Sequence, residues 1–128
     1  MTTAVTSHHQ LQRIAFAALA PVLLTAAIVV ATSHDTGYWQ IFASGLGPDI
    51  ALLFGAGHGL QRGQLHPRAV RLYNALHAVW LPSALAAVAL VGAVSPAYLV
   101  AALAWGFHVA LDRAVGYWMR TREGFQRA

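Results

Sequence analysis

The chain has 128 residues, of which 58% are hydrophobic and only 9% are Asp, Glu, Lys or Arg. Soluble domains usually carry about 25% charged residues, so the composition excludes an ordinary soluble protein. The formal net charge is +4, yet no nucleic-acid-binding motif accompanies it. Cysteine is absent, which excludes structural disulfides, thiolate metal sites, iron–sulfur clusters and covalently attached haem.

Four apolar segments are long enough, or nearly so, for the ~20 residues with which a helix crosses a bilayer. They cover residues 14–31, 38–60, 69–93 and 97–119. Because these segments take up most of the chain, the sequence predicts a single integral membrane domain over residues 1–128. The predicted fold class is all-α, a polytopic membrane protein with four transmembrane helices in an antiparallel bundle.

Two other interpretations of these segments agree less well with the residues. The first apolar run is longer than the ~7–15 residues of the hydrophobic region in a secretory signal peptide. A soluble helical bundle needs a charged outer face, and the stretch LPSALAAVALVGAV has none. The membrane bundle therefore remains the prediction, with the lipid bilayer as its surroundings.

The positions of the arginines, which supply all eight basic residues, predict the topology. Arginines precede the first segment, lie between the second and third segments, and follow the fourth. The connections TSHDTG and SP contain none. Since Lys and Arg in short flanks mark the cytoplasmic side, both termini are predicted to be cytoplasmic, in a multi-pass protein of the cell membrane.

Five polar residues fall inside the predicted helices at matching depths. At 1.5 Å per residue from the inner helix ends, Asp49 and His108 lie roughly 15 Å deep and His77 and Asp112 roughly 10 Å deep, with Asn74 shallower. His108 and Asp112 are four residues apart and share a helix face, as do Asn74 and His77, three apart. One patch inside the bundle is therefore predicted to hold all five, with His77 and Asp112 in contact. Such residues usually mark ion pathways or reaction sites, because a charge at the bilayer centre costs ~2.5–3.5 kcal/mol.

Plainer explanations apply to each polar residue taken alone. A single His in a membrane helix is often a packed residue with one hydrogen-bonded neighbour. Arg113 is predicted to hold Asp112 or an anionic group at the inner rim, although it could simply extend to the lipid head groups. Trp80 and Trp105 are interpreted as packing, and the participation of His58 stays open.

The stretch GLGPDIALL places a helix-breaking pair, Gly47 and Pro48, directly before Asp49. Proline removes a helix N–H and clashes with the preceding turn. The helix is therefore predicted to kink or restart here, with Pro48 at its first position and Asp49 in its first turn. Broken backbone at this depth is tolerated only inside protein or beside a wet cavity, which makes Asp49 a candidate acid or base.

Three stretches, GPDIALL, RLYNALHAVWLP and WGFHVALDRAVGYWMRTREGF, resemble a family of small bacterial membrane proteins in their order and spacing. This is domain-of-unknown-function family 4260, and the resemblance runs from Gly47 to Phe125. It is most specific at the motifs YNxxH and HxxxDRxxGY. The resemblance implies the four-helix membrane fold in a bacterial inner membrane and brings no established activity. The family pattern singles out Asp49, Tyr73, Asn74, His77, His108, Asp112, Arg113, Gly116 and Tyr117.

The candidate chemistry follows from these residue types. The predicted catalytic set is Asp49, Asn74, His77, His108, Asp112, Arg113, Tyr73 and Tyr117. Imidazoles and carboxylates ligate zinc, iron or manganese, so the candidate metal ligands are His77, His108, Asp112 and Asp49. The ExxH pairs of di-iron bundles are missing, which argues against a dinuclear centre. A single divalent metal, a non-covalent haem on His77 or His108, and no cofactor at all stay open.

The function predicted from this set is enzymatic. A membrane-embedded isomerase, cyclase or hydrolase would use acid–base or metal-assisted chemistry on a lipophilic small molecule that enters from the bilayer. Transport of protons, cations or small solutes is the alternative. Four helices would line such a path only as an oligomer, for example a homo-oligomer, or as one half of a pair, and no inverted repeat relates helices 1–2 to helices 3–4. A haem- or metal-binding subunit of a larger complex is a third possibility.

Overall fold

The computed structural model describes residues 2–127, and the side chains of residues 8–127. These residues form six α-helices and one 3₁₀ helix: α1 Thr2–His34, α2 Tyr38–Leu46, the 3₁₀ helix Gly47–Asp49, α3 Ile50–Phe54, α4 Pro67–Leu76, α5 Trp80–Leu90 and α6 Pro96–Val115. No β-strand occurs between residues 2 and 127, where one isolated bridge pairs Arg120 with Gln126. The all-α fold class is therefore confirmed over the described chain.

The helices follow one another as four helical segments, which are α1, α2–α3, α4–α5 and α6. Three stretches are long and apolar enough to cross a membrane: His8–His34, Pro67–Leu90 and Pro96–Val115. The predicted span at residues 38–60 is not among them, because its helical residues already end at Phe54 and are fewer than the ~20 that cross a bilayer. Four helical segments are therefore present, as predicted, and three of them are long and apolar enough to span a membrane.

Helix α1 extends beyond the predicted residues 14–31 at both ends, and its 33 residues give a length of about 50 Å. It ends at His34 because the next residues enter the left-handed region, with φ of 47° at Asp35 and 79° at Gly37. A Cβ at position 37 would lie only 2.8 Å from Val100, so glycine is needed there. This close approach lies beside a buried cluster that joins α1 to α6: Ala27, Ala31 and Val100.

The second helical segment is interrupted where the sequence predicted a break. The 3₁₀ helix Gly47–Asp49 has Pro48 in its first turn together with Asp49, which confirms the predicted restart. The segment then ends earlier than residue 60, because Gly55 closes α3 and packs against Leu65. A Cβ at Gly55 would overlap the Leu65 side chain, so the loop over residues 55–66 lies close against the helix end.

The third segment contains a second break, which the prediction of one continuous helix over residues 69–93 missed. Helix α4 ends at Leu76, and α5 begins at Trp80. Pro82 lies in the first turn of α5 and has no N–H to donate to the carbonyl four residues earlier. The amides of His77 and Ala78 still donate to the Tyr73 and Ala75 carbonyls, but the carbonyls at the break lack helical donors and are free to accept from other segments.

Helix α6 is the central element, since it packs against α1, α2 and α5. It ends at Val115 rather than at the predicted residue 119, because Gly116 takes φ of 102° as its C-cap. The following segment folds back onto the loop before α4, where the Leu65 amide donates to the Gly124 carbonyl at 2.9 Å. Tyr117 and Trp118 therefore lie in this C-terminal segment and not in a helix.

Candidate metal site

Four side chains from three helical segments converge at the two helix breaks. Asp49 comes from the 3₁₀ helix, His77 from the break after α4, and His108 and Asp112 from α6. One ligand atom of each side chain lies within 4.8 Å of those of the other three. His77 and His108 are buried, the Asp112 side chain is 19% exposed and the Asp49 side chain is 51% exposed. We call these four residues the His–Asp cluster.

The distances within the His–Asp cluster agree with the predicted pairing of its residues in two layers. The shortest His–Asp contacts join residues assigned to the same layer: His77 Nε2 lies 3.3 Å from Asp112 Oδ2, and His108 Nε2 lies 3.4 Å from Asp49 Oδ1. The two contacts between layers are longer, at 3.6 and 3.7 Å. The predicted contact between His77 and Asp112 is thus confirmed.

Backbone carbonyl groups fix the orientation of both imidazole rings. Nδ1 of His77 lies 2.8 Å from the Tyr73 carbonyl, and Nδ1 of His108 lies 2.8 Å from the Gly45 carbonyl. A carbonyl oxygen only accepts, so each Nδ1 carries the proton and donates it. In a neutral ring Nε2 is then an acceptor, and the two Nε2 atoms face each other at 3.3 Å. Two facing lone pairs beside two carboxylates require a proton or a cation between them.

Five of the six separations between these ligand atoms are close to those of a tetrahedral metal site, and the sixth, between the two carboxylate oxygens, is within 4.8 Å. An ion with metal–ligand distances of about 2.0–2.1 Å in tetrahedral geometry separates its ligand atoms by roughly 3.3–3.4 Å. The Nε2–Nε2 distance is 3.3 Å, and the four Nε2–carboxylate distances are 3.3 to 3.7 Å. A His that binds a metal through one ring nitrogen usually donates the N–H of its other ring nitrogen to a backbone carbonyl, a carboxylate or water. The cluster is therefore shaped as a site for a single small cation.

The break after α4 is stabilised by two donors from α6. The last carbonyls of a helix have no partner within it, and here the Trp105 indole donates to the Leu76 carbonyl at 2.6 Å. The Arg113 guanidinium donates to the His77 carbonyl at 2.9 Å. Both donors hold the backbone that carries His77 against α6, and this places its ring opposite His108.

Arg113 does not hold Asp112, contrary to the prediction. Its guanidinium donates to the carbonyls of His77 and Tyr117, each at 2.9 Å, and its side chain forms no ion pair among residues 8–127. Only 4% of the residue is exposed, so extension to lipid head groups is also wrong. The reason is geometric, because the break after α4 presents free carbonyls on the side of α6 that Arg113 faces.

The other predicted residues lie around the His–Asp cluster without joining it. The Tyr73 ring stacks on the His77 ring at a centroid distance of 3.9 Å. Asn74 instead binds the backbone of Arg120, donating to its carbonyl at 3.0 Å and accepting from its amide at 2.8 Å. Tyr117 is 54% exposed and contributes its carbonyl to Arg113. His58 is exposed in the loop and is not part of the cluster.

The sequence did not predict the role of the Gly45 carbonyl, and Trp105 was interpreted as packing although its indole donates to the Leu76 carbonyl. Gly45 lies in the last turn of α2, where a carbonyl is expected to lack a helical partner, so the predicted break at Gly47 and Pro48 indicated free carbonyls nearby. Trp105 precedes His108 by three residues and shares its helix face. The sequence position of neither group shows which partner it hydrogen-bonds.

The exposed edge of the His–Asp cluster opens on an apolar groove. Asp49 lines this groove, whose volume is about 620 Å³. The large apolar side chains around it are all exposed at their outer faces: Phe42, Leu46, Ile50 and Leu53. The only carboxylate of the cluster that a molecule outside the protein can readily reach therefore lies in hydrophobic surroundings.

Neither the curated proteins nor the solved structures include a match to this chain. Residues 9–128 match the family model described as "Domain of unknown function (DUF4260)". The match extends further than the resemblance expected from residues 47–125, since it includes α1. The chain therefore belongs to the family of unknown function 4260.

Proposed function

We propose that this chain is an integral membrane protein that binds one divalent metal ion in the His–Asp cluster and uses it to hydrolyse a lipophilic small molecule. The observation that carries the proposal is the convergence of two Nε2 acceptors and two carboxylates at separations close to those of a tetrahedral site. Hydrolysis is the member of the predicted set of reactions that this arrangement supports best, because water is the reactant that a metal and a carboxylate activate together.

Integral insertion is supported by the helices of spanning length and by their outer surfaces. Large apolar side chains along them are exposed, among them Leu11 at 63%, Val22 at 61% and Leu90 at 72%. In water such surfaces would associate, whereas in lipid they are fully compatible with their surroundings. The arginine distribution supports cytoplasmic termini, and we retain the antiparallel arrangement of a single membrane domain as part of the proposal.

Zinc is the ion that the geometry favours. Zn²⁺ accepts imidazole nitrogen and carboxylate oxygen in tetrahedral sites, whereas iron and manganese usually take more ligands. A haem is disfavoured, since two Nε2 atoms only 3.3 Å apart leave no room for a porphyrin between them. One small ion satisfies both facing lone pairs and neutralises both carboxylates.

The four ligands differ in accessibility, and this difference suggests separate roles. His77, His108 and Asp112 are held inside the protein, while half of the Asp49 side chain is exposed. A catalytic zinc site keeps three protein ligands and one exchangeable position. We therefore assign His77, His108 and Asp112 as the residues that would hold the metal, and Asp49 as a base beside them. Its carboxylate would take a proton from water as the water oxygen bonds to the substrate. The same proton then passes to the leaving group.

The substrate class follows from the groove at Asp49. Its lining is apolar and its exposed residues would face the bilayer. A molecule that dissolves in lipid can enter there without crossing water, with its reacting bond placed against the one accessible carboxylate. The proposed substrates are therefore lipophilic esters, amides or epoxides rather than water-soluble metabolites.

Metal analysis of the purified full chain in nanodiscs tests the proposal. After loading with Zn²⁺ and gel filtration, we expect one ion per chain by mass spectrometry, and a tetrahedral absorption spectrum with Co²⁺ in its place. We expect at least about tenfold weaker zinc binding in each of three variants: His77→Ala, His108→Ala and Asp112→Asn. Removing a residue that only supports a metal ligand already weakens metal binding by about tenfold or more. His58→Ala is the matched control, since it removes an imidazole outside the cluster. Equal metal content in all variants would refute the site.

An activity assay distinguishes the residues that bind the metal from Asp49, the proposed base. Metal-loaded protein is incubated with a set of lipophilic esters, amides and epoxides, and the products are identified by mass spectrometry. Asp49→Asn should keep the metal and lose metal-dependent hydrolysis, because the carboxamide cannot take up the proton. Asp112→Asn should lose both. Hydrolysis that persists in Asp49→Asn would contradict the assigned role.

Proton or cation transport is a second candidate, favoured by the 3.3 Å between the two Nε2 atoms, since one shared proton also fits that distance. The half-exposed Asp49 would then exchange the proton with the groove. Liposomes containing the wild-type chain would show proton flux that His108→Ala removes, with no metal bound. Stoichiometric metal without flux would exclude this function.

A further inference from the structure

A second concave site, separate from the His–Asp cluster, lies between the start of α4 and the C-terminal segment. Its volume is about 610 Å³, and seven residues line it: Pro67, Val70, Arg71, Asn74, Arg120, Arg122 and Arg127. Four of these seven are arginines, which is half of the arginines in the chain. We call this site the arginine pocket.

The arginines of the pocket have no acidic partner within the described chain. The ion pairs found among residues 8–127 all join a histidine to an aspartate of the His–Asp cluster. Glu123 is the nearest acid in sequence, but its carboxylate accepts hydrogen bonds from its own backbone amide and from Thr121. These bonds, and to a smaller extent the positive charge of Arg122, lower the pKa of Glu123. Four positive charges therefore surround one cavity, and none of them forms an ion pair with an acid among residues 8–127.

Arg120 is built into the wall of the pocket. It is only 9% exposed, and its guanidinium lies over the Tyr73 ring at 4.7 Å. One terminal nitrogen, Nη1, donates to the carbonyls of Gly63 and Gly124, while Nε is buried without a hydrogen-bond partner. Asn74 fixes its backbone from both sides. A buried guanidinium held in place without an acidic partner keeps a fixed positive charge in the wall of the pocket, and this favours an anion in the cavity beside it.

We propose that the arginine pocket binds a phosphate group, either of a lipid head group or of a soluble phosphomonoester. Guanidinium groups match phosphate oxygens through paired, charge-assisted hydrogen bonds, and a cavity of this size accepts a phosphate with its substituent. In the proposed topology, the start of α4 and the C-terminal segment lie on the cytoplasmic side, at the level of the head groups. The proposal uses different residues from the metal site and does not depend on it.

Binding to the full chain in nanodiscs of phosphatidylcholine tests this inference. One experiment titrates inorganic phosphate and glycerol 3-phosphate; the other adds phosphatidic acid to the nanodiscs and counts bound lipids by native mass spectrometry. We expect Arg71→Gln, Arg122→Gln and Arg127→Gln each to weaken binding by about tenfold or more, which is the usual contribution of a charged hydrogen bond. Arg62→Gln is the control, since it removes one exposed charge outside the pocket.

The outcomes distinguish the two phosphate sources. Binding of phosphatidic acid alone identifies a lipid head group, whereas binding of the soluble phosphates identifies a free phosphomonoester. If Arg62→Gln weakened binding as much as the pocket variants, the binding would come from general positive charge, and the arginine pocket would be refuted as a phosphate site. Failure of the wild-type chain to bind any of the three probes would overturn it as well. Arg71→Lys adds a further check, because Arg71 is exposed and an ammonium keeps the charge but not the paired geometry. Phosphate binding to this variant should be weakened at an unchanged melting temperature in phosphate-free buffer.

Discussion

Replacing Asp112 by Asn should change stability in opposite directions with and without metal. Asp112 Oδ2 lies 3.3 Å from His77 Nε2 and 3.7 Å from His108 Nε2, and its nearest oxygen lies within 4.8 Å of that of Asp49. Without a cation, two carboxylates at that separation repel each other. The Coulomb energy is about 1 kcal/mol in water and roughly 3.5 kcal/mol at an effective dielectric constant of 20. Since half of the Asp49 side chain is exposed, we expect the apo variant to gain about 1 kcal/mol.

With metal present the sign reverses. A ligand at one hundred times its dissociation constant stabilises the native state by about 2.7 kcal/mol. If loss of the carboxylate weakens the site about 100-fold, the same concentration stabilises the variant by only about 0.4 kcal/mol. For a chain of this size the difference corresponds to roughly 5–10 °C in melting temperature.

The assay is a thermal melt of wild-type and Asp112→Asn protein, each with excess Zn²⁺ and with a chelator. Asp35→Asn is the control, because Asp35 is an exposed carboxylate outside the His–Asp cluster. If Asp112 served only as a hydrogen-bonded packing residue, the variant would lose about 1–3 kcal/mol under both conditions. A destabilised apo variant, or a wild-type melt that zinc does not move, would refute the reasoning.

Three further predictions concern the surroundings of the cluster. Arg113→Lys should lower stability by about 1–3 kcal/mol in a thermal melt, because one ammonium cannot reach both carbonyls that the guanidinium binds; a silent substitution would contradict the structural role. A cysteine at Asp35 should react with a membrane-impermeant maleimide from outside intact cells, and one at Gln64 only after lysis; the reverse pattern would invert the topology. Gly124→Ala should release the C-terminal segment and make it accessible to protease. At this position φ is +100°, and a Cβ would overlap the Leu65 backbone in the loop before α4. Gly45→Ala is the control and should leave digestion unchanged, because Gly45 has open space around it and an ordinary φ.

Much of the candidate site could be predicted from the sequence, because the positions of its residues follow from helix geometry and from the effect of proline on a helix. Helical rise placed Asp49 level with His108 and His77 level with Asp112, and the contacts at 3.4 and 3.3 Å follow those levels. Proline chemistry predicted the interruption at Gly47–Asp49. These features depend on spacing along one helix and on a missing N–H, both of which belong to the chain itself.

The sequence by itself therefore determined the four helical segments, the break before Asp49 and which of the polar residues lie level with one another. Tertiary structure decided which groups those residues meet: Arg113 binds two carbonyls instead of Asp112, and Asn74 binds the Arg120 backbone instead of the cluster. It also decided that the Gly45 carbonyl orients His108. The physical reason is that a broken helix leaves backbone acceptors whose partners come from another segment. Which donor reaches them depends on how α6 crosses the two breaks, and no local pattern encodes that crossing.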